Sequence, residues 1–307
     1  MRVYIYEYAV ATGDEEFLAE GRAMLESLLR AFAKSGYETL TVAHPSVGVR
    51  WADEVLRDET QALECADLTL VIAPESDGLL ESKVREYSRE TEVIGPTPRA
   101  IRVAADKRKT EDALRDARSF QLPTREADVM VSKPADGAGS EGVRIGRGEL
   151  SRELIPGSHH SLLCVSDGET VDVLGINDQF VAFAGRELVY LGGRTPSDHR
   201  ELTRIARDIA EEVVERIPGL VGLFGVDLVM KGGEPYLIEV NPRPTTPTVA
   251  AALEHPEAVV RSLLEGPTGK VLRYRREYVY VKRGAEALVP EKFEVVEDFH
   301  GLRVYRG

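Results

Sequence analysis

The sequence predicts a mixed fold: a small open parallel α/β domain, followed by a larger α+β domain. Two observations predict it. Over roughly the first 100 residues, short apolar strands alternate with amphipathic helices, which is the pattern of a parallel sheet with crossover connections. Further along, two apolar runs flank Gly232-Gly233, a pair that is typical of the tight turn of a β-hairpin.

The composition is that of a globular protein with ample material for two or three cores. The chain has 307 residues, of which 43% are hydrophobic and 30% are charged. Its net charge of -13 disfavours binding to nucleic acid or to an anionic membrane surface. No stretch approaches the roughly 18 consecutive apolar residues that span a bilayer.

The cysteines and the N-terminus predict the compartment. Cys65 and Cys164 lie far apart and without metal-ligand spacing, so neither a disulfide framework nor a thiolate metal site is expected. The first residues alternate like a strand and do not resemble a signal peptide. We therefore expect a protein of the reducing cytoplasm.

Residues 1–98 are predicted as the first domain. Strands are expected at 3–10, 39–43 and 68–73, and helical spacing of apolar residues predicts helices at 17–32 and 79–89. The sequence Gly95-Pro96-Thr97-Pro98 marks the end of this domain.

The end of the first strand carries candidate substrate-binding residues. Open parallel sheets bind ligands at the carboxyl ends of their strands. Glu7, Tyr8, Thr12 and Gly13 lie at such an end. We expect them to contact substrate, with an ion pair between Glu7 and a nearby arginine as the structural alternative.

Residues 99–266 are predicted as the second domain, and 267–307 as an antiparallel β appendage. A charged helix is expected at 99–117, and strands at 128–133, 162–165, 171–174 and 180–183. A later helix is expected to begin with Asp198 as its N-cap and Glu201 three residues on. Strands at 271–281 and 293–305 complete the tail.

A glycine-rich loop follows the strand that ends at Lys133. It contains Gly137, Gly139, Ser140 and Gly142, which suit a backbone that must approach a phosphate closely. From glycine content alone, a flexible hairpin loop explains the segment equally well. Its position directly after Lys133 favours phosphate binding.

The hairpin around Gly232-Gly233 brings oxygen ligands together. Side chains alternate along a strand, so Glu239 and Asn241 share a face, and the turn folds Asp227 back beside Glu239. Two adjacent carboxylates repel each other unless a cation neutralises them, and all-oxygen ligands favour Mg²⁺. The alternative is a hairpin with solvated acids on its exposed face.

The order of these motifs resembles the ATP-grasp superfamily over roughly residues 95–265. The motifs that carry the resemblance are Asp106-Lys107, Lys133-Pro134 with its glycine loop, Glu153 to Gly157, Asp227, and Glu239-Val240-Asn241-Pro242-Arg243. The resemblance implies an ATP-grasp fold with ATP between two α+β subdomains, preceded by a small α/β domain that is typical of the family.

The resemblance also implies a role for each site residue. Lys107, by itself an ordinary surface lysine, and Lys133 would reach the phosphates under the 137–142 loop. The backbone of Glu153, Leu154 and Ile155 would bind adenine. Asp227, Glu239 and Asn241 would hold two Mg²⁺ ions, for which Mn²⁺ could substitute, and Arg243 would steady the transferring phosphoryl group.

Two positions depart from the pattern of the superfamily. Some relatives place an arginine two residues before the first metal carboxylate, where this chain has Gly225. Arg194 could replace it, could bind a substrate carboxylate, or could equally be a surface cation. The usual ribose-binding acid is also replaced, by Ser158-His159-His160.

The implied activity is the ligation of a small-molecule carboxylate to an amine through an acyl phosphate, with release of ADP. The N-terminal sequence Tyr6-Glu7-Tyr8 and the segments around it are similar to one subgroup, the archaeal ligases of methanofuran biosynthesis that join tyramine to glutamate. The alternatives are another amino-acid or peptide ligase, D-alanine–D-alanine type included, and a nucleotide-binding regulatory module without turnover. A homodimer is an assembly that the sequence leaves open.

Overall fold

The computed structural model describes residues 1–133 and 143–307, without the side chain of Lys133. Its N-terminal part is a parallel five-stranded sheet in the order β3-β2-β1-β4-β5. The strands are β1 (Arg2–Glu7), β2 (Glu38–Val42), β3 (Glu54–Leu56), β4 (Leu68–Ile72) and β5 (Glu92–Val93). The helices of this part are α1 (Tyr8–Thr12), α2 (Leu18–Lys34), α3 (Glu59–Cys65) and α4 (Leu79–Tyr87), with a 3₁₀ turn at Ser76–Gly78.

The first strand is shorter than predicted. It ends at Glu7, because the Glu7 carboxylate accepts a hydrogen bond from the Val10 N–H and caps the short helix α1. Residues 8–12, predicted as strand and turn, are helical, and α1 ends at Gly13 in the left-handed conformation.

The remaining elements build a larger, mainly antiparallel sheet and the helices that cover it. Its described strands are β6 (Met130–Lys133), β7 (Arg144–Ile145), β8 (Leu150–Glu153), β9 (Ser158–Ser166), β10 (Val171–Ala184), β11 (Glu187–Thr195), β12 (Gly222–Lys231), β13 (Glu234–Asn241), β14 (Tyr278–Lys282), β15 (Glu294–Asp298) and β16 (Leu302–Arg306). The helices are α5 (Pro98–Ala105), α6 (Lys107–Leu114), α7 (Arg200–Arg216), α8 (Thr248–Glu254) and α9 (Pro256–Leu264), with a 3₁₀ turn at Glu286–Leu288. The main path of the sheet is β13-β12-β9-β10-β11-β14-β16-β15, and β6, β7 and β8 join it through β11.

Three predicted elements differ in detail. The helix at 99–117 is two helices, because Asp106 leaves the helical conformation and caps α6 through the N–H groups of Arg108 and Lys109. The strands at 171–174 and 180–183 are one long strand, β10. His199, and not Asp198, caps α7, since its ring nitrogen accepts the Leu202 N–H.

The two sheets share a hydrophobic core. Helix α2 lies between the parallel sheet and helices α8 and α9, and the same apolar cluster includes Leu163, Leu174 and Leu223 of the large sheet. The strand predicted at 271–281 is shorter and forms only as β14, and the strand predicted at 293–305 is an antiparallel pair, β15 and β16. These strands extend the large sheet, because β14 pairs with β11. Within the described residues, no helix combines the length and the apolar character needed to cross a membrane.

Candidate active site

The two carboxylates of the hairpin face each other across neighbouring strands. Asp227 of β12 lies directly opposite Glu239 of β13 in the register. Asp227 accepts hydrogen bonds from Gln179 Nε2 at 2.9 Å and from Asn241 Nδ2 at 3.2 Å. Burial, and next the charge of Glu239, raise the pKa of Asp227 to about 7. Two carboxylates this close together would be stabilised by a bound cation.

Lys107 supplies the nearest positive charge. Its Nζ lies 3.0 Å from Glu239 Oε1, and only 9% of its side chain is exposed. The lysine occupies the first turn of α6, a position that the Asp106 cap sets. The interpretation of Lys107 as an ordinary surface lysine is wrong, because the end of α6 points into the molecule.

The carboxylates line a cleft together with the predicted hinge. Glu153, Leu154 and Ile155, the predicted adenine-binding segment that we call the hinge, line the same cleft as Asp227 and Glu239. The surface between them is largely apolar and includes Val131, Val181, Leu228 and Ile238. We call this the carboxylate cleft. A largely apolar lining with a few converging polar groups is typical of a small-molecule site.

The hinge N–H groups are partly engaged. The Glu153 N–H donates to Thr124 O at 2.9 Å, and the Leu154 N–H donates to Val129 O at 3.0 Å. These two donors hold the hinge against the preceding loop. The expected backbone contact with adenine can therefore use those two N–H groups only if the loop bonds break.

Arg243 bridges the two parts of the molecule. Its Nε lies 2.9 Å from Oε1 of Glu75, which follows β4 of the parallel sheet. Both side chains are almost entirely buried, and burial raises the pKa of Glu75 against the opposing effect of the Arg243 charge. This ion pair holds Arg243 beside the hairpin from which it extends.

A second cavity, of about 310 Å³, adjoins the cleft. It lies between the end of β1 and helix α2 on one side and β11 on the other, and Glu7, Gly21, Tyr190, Arg243 and Lys282 are among its lining residues. We call it the Glu7 cavity. It has the size of a small-molecule site, which is typically about 300–1,000 Å³.

The four residues predicted at the end of β1 do not line a common cavity. Glu7 lines the cavity, whereas Tyr8, Thr12 and Gly13 are not among its lining residues. Thr12 Oγ1 donates to the Tyr8 carbonyl within α1. The side chain of Tyr6 packs in the core against Tyr4 and Tyr87 and is 1% exposed. The aromatic residues that line the cavity are Phe17 and Tyr190.

Arg194 lies away from the carboxylates. Its guanidinium contacts Asp178 at 2.5 Å, Asp198 at 3.1 Å and Glu277 at 3.2 Å. Asp178 precedes Gln179 on β10, and neighbouring residues of a strand point to opposite faces. Because Gln179 faces Asp227, Asp178 and its partner Arg194 face the other side, so the expected contact of Arg194 with phosphate or substrate is not supported.

The predicted phosphate loop cannot be compared with the structure. Gly137, Gly139, Ser140 and Gly142 lie outside the described residues, and so does the side chain of Lys133. The backbone of Lys133 ends strand β6, as the sequence predicts.

The donor set of the hairpin fits a hard cation. Asp227, Glu239 and Asn241 offer two carboxylates and an amide oxygen, the ligands that Mg²⁺ prefers. Among the described residues, no cluster of three or more His, Cys, Asp and Glu side chains has the geometry of a metal site. A metal here would therefore need ligands beyond the two acids, and Asn241, water or a bound phosphate can supply them.

The comparisons with known proteins define the class. Residues 104–247 match the family model of the ATP-grasp domain. This segment of the chain is an ATP-grasp domain, the domain that characterises a class of ADP-forming ligases that make carbon–nitrogen bonds. The structure has the ATP-grasp fold, which confirms the predicted fold class.

One relative and two solved structures are similar to this chain over most of their length. The tyramine–L-glutamate ligase of Methanocaldococcus jannaschii is 26% identical over 293 residues, covering 89% of this chain and 91% of that protein. A putative ATP-grasp superfamily protein from Archaeoglobus fulgidus superposes with a TM-score of 0.75 at 26% identity, covering 100% and 98% of the two chains. An N5-carboxyaminoimidazole synthetase from Staphylococcus aureus, solved with ADP, superposes with a TM-score of 0.68 at 10% identity, covering 99% and 92%.

Three residues of the site escaped the sequence analysis. Glu75 follows β4, and open parallel sheets bind ligands at the carboxyl ends of their strands, so Glu75 could have been predicted in the same way as Glu7. Gln179 and Tyr190 lie on long strands whose register no local pattern reveals. The signal for these two is tertiary, because β10 and β11 must first be placed beside the hairpin.

Proposed function

We propose that this protein is an ATP-dependent ligase that joins a carboxylate to an amine through an acyl phosphate, and that glutamate and tyramine are its substrates. The observation that supports the reaction is the carboxylate cleft, where the hinge and the two acids line one apolar pocket. The relative from Methanocaldococcus jannaschii supports the substrate pair, since the similarity covers most of both chains.

In this proposal the hairpin holds the metal that binds the ATP phosphates. Asp227, Glu239 and Asn241 are the proposed ligands of Mg²⁺, or of Mn²⁺ in its place. Bound Mg²⁺ neutralises charge on the phosphates during transfer. Lys107 offsets the charge of Glu239, so the two acids can remain close together before a metal binds.

The remaining residues position the reactants. The segment Glu153 to Ile155 lies along the apolar wall and is the proposed adenine contact. Lys133 and the 137–142 loop are the proposed phosphate contacts, on the evidence of the sequence. Arg243 lines the Glu7 cavity next to the hairpin, where a cation can stabilise the phosphoryl group and the oxyanion of the addition step.

The test is ADP release across a panel of acids and amines. Wild-type protein would be assayed with ATP and Mg²⁺ against L-glutamate, D-alanine and other amino acids, each with tyramine, a short alkylamine or a second amino acid. We expect ADP and amide in equal amounts, with the highest rate for glutamate and tyramine. ADP release that no added carboxylate stimulates would contradict the ligase assignment.

A further inference from the structure

The geometry points to the Glu7 cavity as the binding site of the amine substrate. It also points to the Glu7 carboxylate as the base that takes a proton from the ammonium group of that amine. This inference rests on the proposed ligase function and assigns the half of the reaction that the hairpin does not explain.

The charges around the cavity favour a cation. Four glutamates line it: Glu7, Glu16, Glu20 and Glu187. It has two lining cations: Arg243 pairs at 2.9 Å with Glu75, which is not part of the lining, and Lys282 pairs at 2.5 Å with Glu20 of the same lining. The described lining therefore carries excess negative charge. An ammonium group is attracted to such a cavity, and a carboxylate is repelled.

Glu7 is the most deeply placed of these acids. It is 3% exposed, and its Oε2 accepts the Val10 N–H at 2.7 Å. Among the described residues it has no ion-pair partner, unlike Glu20. A buried carboxylate without a counter-ion, on the wall of a cavity, is suited to receive a cation from a ligand.

The sequence makes room for this carboxylate inside helix α2. A Cβ atom added to Gly21 would lie 2.3 Å from Glu7 Oε1. Glycine in a helix interior costs about 1 kcal/mol relative to alanine. Here the missing side chain leaves the space that the Glu7 carboxyl group fills, at the edge of the cavity that both residues line.

The environment of Glu7 also suits a base at neutral pH. Burial raises its pKa to about 7, while the N–H groups of Val10 and Ala9 and the charge of Arg243 lower it, and Asp14 raises it. Glu16, Glu20 and Glu187 and the cations Arg243 and Lys282 face the same cavity. A general base acts best when its pKa lies near the working pH.

The rest of the cavity suits an apolar amine. Phe17, Met24, Ile72 and Tyr190 contribute apolar surface around the acids. A primary amine with an aromatic or alkyl body can place its ammonium group at Glu7 and its body against these side chains. Amines of this class are the proposed substrates.

The cavity opens toward the proposed site of acyl transfer. Val143, Leu188 and Tyr190 line both the Glu7 cavity and the carboxylate cleft. Arg243 lines the cavity and lies two residues after β13, the hairpin strand that carries Glu239. An amine held at Glu7 is therefore next to the place where an activated carboxyl group would form.

The step balances in protons and electrons. The ammonium group gives one proton to Glu7, and the freed nitrogen lone pair forms the C–N bond to the acyl phosphate carbon. The C–O bond to the phosphate then breaks, and inorganic phosphate leaves with the electron pair. The second proton lost by nitrogen passes to phosphate or solvent.

The experiment separates activation of the acid from attack by the amine. Wild type, Glu7→Gln and the exposed neighbour control Glu15→Gln would be assayed with ATP, Mg²⁺ and L-glutamate. One series contains tyramine, and the other contains hydroxylamine, which is neutral at pH 7.5 and needs no base. Amide, hydroxamate and ADP are measured in each.

We expect Glu7→Gln to form hydroxamate within about twofold of wild type, but to lose at least about 100-fold in the rate of amide formation, as for removal of a general base. Glu15→Gln should match wild type in both. Glu7→Asp should restore part of the amide rate and keep its dependence on pH. Retained hydroxamate formation also shows that the variant is folded.

Other outcomes overturn the assignment. Amide formation at the wild-type rate in Glu7→Gln excludes Glu7 as the base, and equal loss of amide and hydroxamate places Glu7 outside the amine step. If wild type itself forms neither hydroxamate nor carboxylate-dependent ADP with any acid of the panel, the ligase function fails instead.

Discussion

Lys107 Nζ and Glu239 Oε1 lie 3.0 Å apart, in a contact that joins the first turn of α6 to the last strand of the hairpin. The lysine lies beside the two acids and is itself buried. A charge-assisted contact of this kind holds the acids in place. The charge balance of the site therefore depends on an element about 130 residues earlier in the chain.

Removing this charge should weaken ATP binding. We expect Lys107→Ala to reduce ATP affinity at least about tenfold, because a buried charge-assisted contact contributes roughly 1.5–3 kcal/mol. Calorimetric titration of ATP in Mg²⁺ measures the change. Lys109→Ala is the matched control, since Lys109 is on the same helix but half exposed. Equal affinities in all three proteins would show that Lys107 does not contact the nucleotide.

Neutralising Glu239 should abolish turnover while the fold survives. Glu239→Gln removes one charge with almost no change in volume, and we expect ADP formation to fall at least about 100-fold at saturating Mg²⁺. Glu234→Gln, on the exposed end of the same hairpin, should keep full activity. Circular dichroism would verify the fold. Normal turnover in Glu239→Gln would remove the metal assignment.

Arg194 should matter for stability and not for nucleotide binding. In Arg194→Met, three carboxylates lose their shared cation. Burial raises the pKa of Asp178, but hydrogen bonds from His160, Ser197 and Arg194 outweigh it and lower that pKa to about 2. We expect a loss of about 1–3 kcal/mol in the free energy of unfolding, measured with urea. The KM for ATP should not change. A tenfold increase of this KM in Arg194→Met would show that Arg194 does contribute to nucleotide binding.

The buried carboxylate of Glu7 should make stability depend on pH. Its pKa is about 7 in the folded state, against about 4.3 for an unperturbed glutamate. The folded state thus binds this proton more tightly, so its contribution to stability is complete below pH 4.3 and is lost as the pH rises through 7. Glu7→Gln should match wild type near pH 4 and exceed it at pH 8, by on the order of 3–4 kcal/mol. Parallel stability curves for the two proteins between pH 4 and 8 would argue against the raised pKa.

Gly21 should resist replacement by a better helix former. Alanine at an exposed helix position normally stabilises by about 1 kcal/mol relative to glycine. Gly21→Ala should instead destabilise, because its Cβ would lie 2.3 Å from Glu7 Oε1. Thermal unfolding of Gly21→Ala, Glu7→Ala and the double variant measures the coupling. Additive effects would show that the two residues do not share this space.

Several features of the fold follow from local pattern alone. The hairpin turn at Gly232-Gly233 and the register of Asp227 with Glu239 appear as predicted. Helix α2 matches the predicted apolar spacing, and the alternation of strands and helices predicts the parallel sheet. Where the apolar pattern predicted the wrong end of a strand or helix, a single helix-capping side chain sets the observed boundary. Glu7 begins a helix where a strand was expected, and Asp106 divides a helix in two.

The sequence by itself determined the order of the motifs, the hairpin and the oxygen ligands that it carries, because residue periodicity and turn chemistry act over a few positions. Only the tertiary structure decided which charges meet. It buries Lys107 against Glu239, pairs Arg243 with Glu75, and turns Arg194 toward the opposite face. It also places the Glu7 carboxylate against Gly21. These contacts join residues that are distant in the chain, and their geometry depends on how whole sheets and helices pack, which no local pattern contains.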